Sequence, residues 1–410
     1  MNYLKTIGIN TSLCLISLFT GLIIGEIGLR IAQIEYPLPP DLHAASAPPP
    51  FYIVNDPYRG WGHNPNARSV WTGEGERSEI YVNSGGFRDQ EYAQIKPENT
   101  YRIAILGDSF IEALHVPLEK TSQSILEIEL GKCPILQSQN KKVEVLNFGV
   151  QGYGTAQQLM TLRHHVWQYS PDLVILAFYP GNDVRNNYRP LEHDHLRPYF
   201  VESNGKLVED LSFRELSLNQ RDRYAASWVD SLPRPLISQS RILQLLRHFN
   251  LENKRRQFQE DYEEINISFY KEPPNQLWEE AWNITEKLMV LMRDEVEAKG
   301  AKFMLFTVSD SFQVNPDAKV RENFMKQYDI VDLFYPTQRI EELGERENIT
   351  VFSLARSLGK IAKETGQCLH GFANAFPCGG HWNLEGNQVA GELMANYICQ
   401  QFNQSGKTSN

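Results

Sequence analysis

Arg102-Ile103-Ala104-Ile105-Leu106-Gly107-Asp108-Ser109-Phe110 is the stretch whose reading decides the fold. A short apolar run that does not alternate with polar residues predicts a strand buried on both faces, as in a parallel sheet covered by helices. The glycine lets the chain turn sharply off the strand, and the serine then opens a helix. Four more runs of this kind follow: Val143–Phe148, Leu173–Phe178, Phe303–Phe306 and Ile349–Phe352. Between them Leu277, Ala281, Trp282, Ile284, Leu288, Leu291, Met292 and Val296 keep the spacing of an amphipathic helix that Gly300 is placed to end. Val389, Leu393, Met394, Tyr397, Ile398 and Phe402 repeat the pattern near the C-terminus. This alternation predicts an α/β fold: a doubly wound, five-stranded parallel sheet in flavodoxin-like order, with helices on both faces.

The chain has 410 residues, enough for two or three domains or for one large α/β domain with insertions. With 50 acidic against 40 basic residues its net charge of −10 disfavours a protein that works by neutralising nucleic-acid phosphates. Residues 6–25 contain no charge, a length that matches a helix crossing a membrane. With Lys5 before the run, and Glu26 and Arg30 after it, the expectation is a single-pass anchor over 1–30, with the bulk of the chain extracytoplasmic. A cleaved signal peptide is the rival reading; no small-x-small site follows Gly25 directly, and Ala44-Ala45-Ser46-Ala47 comes late. Prolines make 31–50 a stiff spacer, and 51–100 is expected to pack on a catalytic domain at 101–402. An insertion at about 188–276 carries an Asn204-Gly205 hairpin turn and reads equally as a lid or a surface elaboration. The polar tail 403–410 is expected to be disordered.

Three of the predicted strands end in polar, glycine-containing turns, which the topology brings to one sheet edge. Ser109 offers a hydroxyl and a first-turn amide. Gly152, in Gly149-Val150-Gln151-Gly152-Tyr153-Gly154, allows close approach of a backbone N–H, and Asn182 in Gly181-Asn182-Asp183 offers a carboxamide. A serine ringed by such donors suits acyl transfer, whose tetrahedral oxyanion needs pre-placed hydrogen bonds. The serine also needs a base. His381, in Cys378-Gly379-Gly380-His381-Trp382-Asn383, sits in a loop on the same edge.

Gly107-Asp108-Ser109, Gly152, Gly181-Asn182-Asp183 and His381 resemble, in order, the four blocks of the SGNH/GDSL hydrolase superfamily. The resemblance covers roughly residues 100–400 apart from the insertion. It implies Ser109 as nucleophile, His381 as general base, and Ser109, Gly152 and Asn182 as the oxyanion hole. Asn83-Ser84-Gly85-Gly86-Phe87-Arg88 resembles a feature of bacterial membrane-anchored members, which are often esterases or transferases acting on cell-surface glycans. The chain departs from the family where an aspartate usually stands two or three residues before the histidine; Cys378 and Gly379 occupy those positions. Three readings stay open: a Ser–His dyad oriented by a backbone carbonyl, a carboxylate from another loop such as Asp310, or a weak or dead site. Asp108 and Asp183 are expected to orient their own loops.

The resulting expectation is a membrane-anchored serine esterase acting on an O-acyl ester, O-acetyl included, through a Ser109 acyl-enzyme. An O-acyltransferase acting on cell-surface glycan and a catalytically weak envelope component are the alternatives. A small or glycan-linked ester and the membrane are the expected partners, without nucleic acid; protein partners are left open. No cofactor and no metal are expected: His164-His165 and His193-Asp194-His195 have no third ligand at recognisable spacing. Of the cysteines outside the apolar run, Cys368–Cys378 could brace the His381 loop and Cys133–Cys399 is feasible, with free buried thiols the alternative.

Overall fold

A computed structural model describes residues 2–36, 51–216 and 227–407. Its centre is a five-stranded parallel sheet of β1 (Thr100–Leu106), β2 (Lys142–Asn147), β3 (Leu173–Phe178), β4 (Lys302–Thr307) and β5 (Thr350–Ser353). The spatial order β5-β4-β3-β1-β2 is the flavodoxin-like arrangement expected from the sequence. Because side chains alternate across a strand, each strand feeds two cores. Ile103, Ile105, Val143, Val145, Ile175, Met304 and Phe306 face helices α3 (Ser122–Leu130), α9 (Leu354–Thr365) and α10 (Leu384–Lys407). Ala104, Leu106, Leu146, Val174, Leu176, Phe303 and Leu305 face α4 (Thr155–Thr161), α7 (Gln276–Ala298) and α8 (Tyr335–Glu347). Ala281, Trp282, Leu288, Met292 and Val296 are fully buried along α7, as its spacing predicts; Met289 joins them, Leu277 is exposed instead, and Gly300 follows the helix at φ +79°.

The topology places α3 and α10 on one face, and there Cys133 and Cys399 are joined by a disulfide with a Cα–Cα distance of 5.8 Å. Cys368 and Cys378 form a second bridge, Cα–Cα 5.1 Å. Helix α10 does not fray at residue 403 as expected but continues to Lys407. Phe402 packs edge-on against Tyr101 at 5.1 Å just before the last turn, which gives the helix end an anchor that its polar composition hides.

The chain divides into two compact units. The larger holds 49–192, 196–215 and 264–410, so 51–100 belongs to the unit that holds the sheet. The insertion is split rather than acting as one block. Its first part forms the antiparallel hairpin Tyr199–Ser203 with Lys206–Asp210 around Asn204-Gly205, both at positive φ, as the turn predicted. Residues 216–263 fall in the smaller unit with 1–48 and 193–195.

In that smaller unit α1 (Asn2–Ile31) meets the start of α6 (Arg241–Ser268). Glu26 accepts hydrogen bonds from the Arg241 and Ile242 amides at 3.0 and 3.1 Å, capping the helix. Leu15, Ile16, Leu18 and Phe19 on α1 are exposed. Among the described residues no helix is long and apolar enough to cross a membrane. The side chains of residues 1–12 and 14, and the whole of 37–50, lie outside the described residues, and with them much of the expected anchor and spacer.

Candidate active site

Ser109 opens the four-residue helix α2 (Ser109–Glu112) directly off β1. Gly107 makes the turn possible: a Cβ there would lie 2.4 Å from Ile111 Cγ1. Asp108 caps α2, accepting the Phe110 N–H at 3.0 Å, and its other oxygen accepts from Asn182 Nδ2 at 2.6 Å. Burial raises Asp108 to about 6, against the lowering pull of those hydrogen bonds. Asp183 is also fully buried and raised, first by burial and then by the Asp108 charge; it accepts the Tyr179 N–H at 2.8 Å. Both aspartates thus accept hydrogen bonds within their own loops, and Asp108 also fixes the Asn182 amide.

His381 Nε2 lies 2.9 Å from Ser109 Oγ, so the structure brings together the two residues that the sequence paired across 272 positions. What orients the histidine is Glu74. Its Oε2 lies 2.7 Å from His381 Nδ1, and its Oε1 accepts the His381 backbone N–H at 2.8 Å. Burial pushes Glu74 up, but hydrogen bonds and charge from His381 outweigh it and hold this carboxyl at about 2. A carboxylate from another loop therefore replaces the absent aspartate. It is not Asp310, which lies in the loop after β4 but accepts hydrogen bonds from the Tyr179 and Tyr270 hydroxyls and the Phe312 amide. Nor is a backbone carbonyl the partner of Nδ1.

Glu74 comes from the turn of a hairpin, Arg68–Trp71 with Ser78–Tyr81, in the segment ahead of the sheet. Asn374 ties that turn to the His381 loop, donating to Gly73 O and Gly75 O at 3.0 and 2.8 Å. Gly380, at φ +71°, leaves room for the carboxylate; a Cβ there would lie 2.2 Å from Glu74 Oε1. The His381 loop is held from behind as well. Buried His370 contacts Gly380 O through Nδ1 at 2.6 Å and Ser309 Oγ through Nε2 at 2.9 Å.

His115, which the sequence did not single out, stacks on His381 with ring centroids 3.9 Å apart. Its Nε2 lies 3.7 Å from Glu74 Oε2. Burial and the neighbouring His381 charge lower it to about 3, so it is neutral beside the histidine. Glu74, His115 and His381 gather potential metal-ligand atoms within 4.8 Å of one another. Imidazoles stacked face to face direct their lone pairs along parallel planes rather than toward one point, which does not suit a tetrahedral ion.

Solved structures similar to this one include several esterases and acylhydrolases. An acetyl xylan esterase is 11% identical, with 72% of this chain and 99% of that one covered and a TM-score of 0.37. A lipase/acylhydrolase from Enterococcus faecalis is 13% identical over 73% and 96%, TM-score 0.36. An acetylxylan esterase from Geobacillus stearothermophilus is 10% identical over 74% and 94%, TM-score 0.36. No family profile matches the chain, and no curated protein does.

The Asn83–Arg88 segment also acquires a place. Asn83 Oδ1 accepts the Gly85 and Phe87 amides, shaping a turn that sends Arg88 inward. The buried Arg88 guanidinium donates to Glu112 O and Ala113 O at 2.8 Å, and to Val116 O at 2.6 Å. It therefore satisfies the carbonyls left open at the end of α2, three residues beyond Ser109. Of the histidine pairs, His164 stacks on Tyr58 at 3.6 Å.

Proposed function

We propose that this protein is a serine ester hydrolase of the SGNH type. The observation that carries the reading is the continuous Ser109–His381–Glu74 hydrogen-bonded chain, with contacts of 2.9 and 2.7 Å. His381 Nε2 takes the Ser109 proton as Oγ attacks the ester carbonyl, then returns it to the leaving alcohol; water repeats the cycle on the acyl-enzyme. Glu74 fixes the imidazole tautomer through Nδ1 and offsets its positive charge. The developing oxyanion faces the amides of Ser109 and Gly152 and the second N–H of the Asn182 carboxamide, whose first is held by Asp108. With a carboxylate behind the histidine, the missing aspartate no longer implies a dead site.

The substrate in this reading is a small or glycan-linked O-acyl ester, and the chain is anchored through 6–25 with its catalytic unit outside the cytoplasm. The uncharged N-terminal run and the two disulfides, which persist in oxidising compartments, support that placement. The test is release of 4-nitrophenol from 4-nitrophenyl acetate by wild type, Ser109→Ala, His381→Ala and Glu74→Gln. Ser109→Ala and His381→Ala are expected to lose at least about 10³-fold in kcat, and Glu74→Gln about 10²-fold or more with little change in KM. Equal rates in wild type and Ser109→Ala would sink the reading. Adding a glycan acceptor to active enzyme separates hydrolysis from acyl transfer.

A further inference from the structure

The peptide that carries the Gly152 N–H is gripped on every side by groups the proposed reaction does not use. Gly152 sits at φ +75°, the left-handed region that glycine enters freely. The peptide joining Gln151 to Gly152 is trans, as all described peptides are, so its C=O and N–H point in opposite directions. Whatever fixes the carbonyl therefore aims the amide. Trp61 does this: its indole Nε1–H donates to Gln151 O at 3.1 Å. Trp61 is itself buried, with the Tyr153 hydroxyl donating to its carbonyl and the Arg197 guanidinium over its ring at 5.1 Å. Arg197 also donates to Gly152 O at 3.2 Å.

The other end of the Gln151 residue is held by Glu112. Its Oε2 accepts the Gln151 N–H at 2.7 Å. Its Oε1 accepts the Tyr52 hydroxyl at 2.6 Å and lies 2.6 Å from His63 Nε2. Glu112 is fully buried, and a carboxylate is placed there only with partners that repay its loss of water. Its place in sequence matters too: it is the last residue of α2, the helix that Ser109 opens. One rigid turn thus ties the nucleophile to the loop bearing the oxyanion donor.

The geometry points to Trp61 and Glu112 as positioning residues that aim the Gly152 amide at the oxyanion, resting on the serine-hydrolase reading above. Trp61 acts through the Gln151 carbonyl and Glu112 through the Gln151 amide, so neither touches substrate. Pre-set donors matter most when charge develops, so loss of either grip should appear in kcat rather than KM.

Trp61→Phe keeps the aromatic area and removes only the donor; Glu112→Ala removes the acceptor, and Glu112→Gln restores an oxygen for the Gln151 N–H. The readouts are kcat and KM for 4-nitrophenyl acetate, and inhibition by phenylboronic acid, whose adduct on serine is a tetrahedral anion. Trp61→Phe and Glu112→Ala are expected to lose about tenfold or more in kcat, with KM within about twofold. Boronate affinity should weaken by a similar factor, and Glu112→Gln should recover most of the Glu112→Ala loss. If Trp61→Phe does not fold, the Glu112→Ala and Glu112→Gln pair tests the same positioning from the amide side. Retention of wild-type kcat in Trp61→Phe and Glu112→Ala, while Ser109→Ala is inactive, overturns the positioning roles alone. Equal rates in wild type and Ser109→Ala overturn the hydrolase reading and the positioning roles with it.

Discussion

Ser109 could be found from sequence because it follows a strand end, and His381 because its loop leads into the last helix, although α9 separates that loop from β5. Glu74 could not. It lies in Gly73-Glu74-Gly75-Glu76, a turn with no strand-end signature, 307 positions from the histidine it serves. The one trace it leaves is Gly380, whose missing side chain makes room for it. Asp310 is the reverse case: it lies in the loop after β4, where the sequence placed it, but is already engaged by two tyrosine hydroxyls. His115 adds a pH effect at this scale. Its pKa falls from 6.5 to about 3 on folding, so between those values the unfolded chain binds the extra proton and stability drops as pH falls. His115→Phe keeps a stacking ring without a titrating group. Wild type should therefore lose stability relative to His115→Phe from pH 6.5 downward, by as much as about 1.4 kcal/mol per pH unit, in denaturant titrations at pH 7, 6, 5 and 4. A difference that stays constant with pH would refute this.

Among the elements, β1, β3 and β4 were legible because both faces are buried and their apolar runs show it, whereas Glu144 interrupts β2 and β5 is only half-buried along its length. The hairpin carrying Glu74 was not, since Arg68–Trp71 is largely exposed and Ser78–Tyr81 is too short to show a period. Helix α10 was read correctly in its apolar stripe but not at its end, where Phe402 rather than local polarity decides the boundary. The two disulfides belong to different elements and should fail differently. Cys133–Cys399 joins residues 266 apart, on and beside the helices that cover one sheet face, away from the His381 loop. Replacing both with serine should cost about 2–5 kcal/mol of stability and leave kcat near wild type. Cys368–Cys378 closes a loop of sequence separation 10 around His370, just before His381. Its removal should cost less stability and several-fold in kcat, as measured by thermal melts beside ester assays. The opposite ranking would contradict these assignments.

Across the whole molecule, the segment ahead of the sheet is part of the candidate active site rather than a wrapping. It supplies Glu74 to the histidine, Arg88 to the end of α2, and Trp61, Tyr52 and His63 to the Gln151–Gly152 loop and its support. A chain beginning at residue 51 should keep wild-type kcat on a soluble ester, whereas one beginning at residue 99 should lose at least about 10²-fold. Full activity in the shorter chain would show that Glu74 is dispensable. The distance between Glu74 and His381 along the chain has a further meaning during synthesis. At about 5–20 residues per second, their separation of 307 corresponds to roughly 15–60 s of translation. Ser109 emerges early in that interval, with Glu74 already made and His381 still missing. The nascent chain thus lacks the proposed base until His381 has been made. Cys399 is made after His381, so the 133–399 bridge can close only once Glu74, Ser109 and His381 are all present.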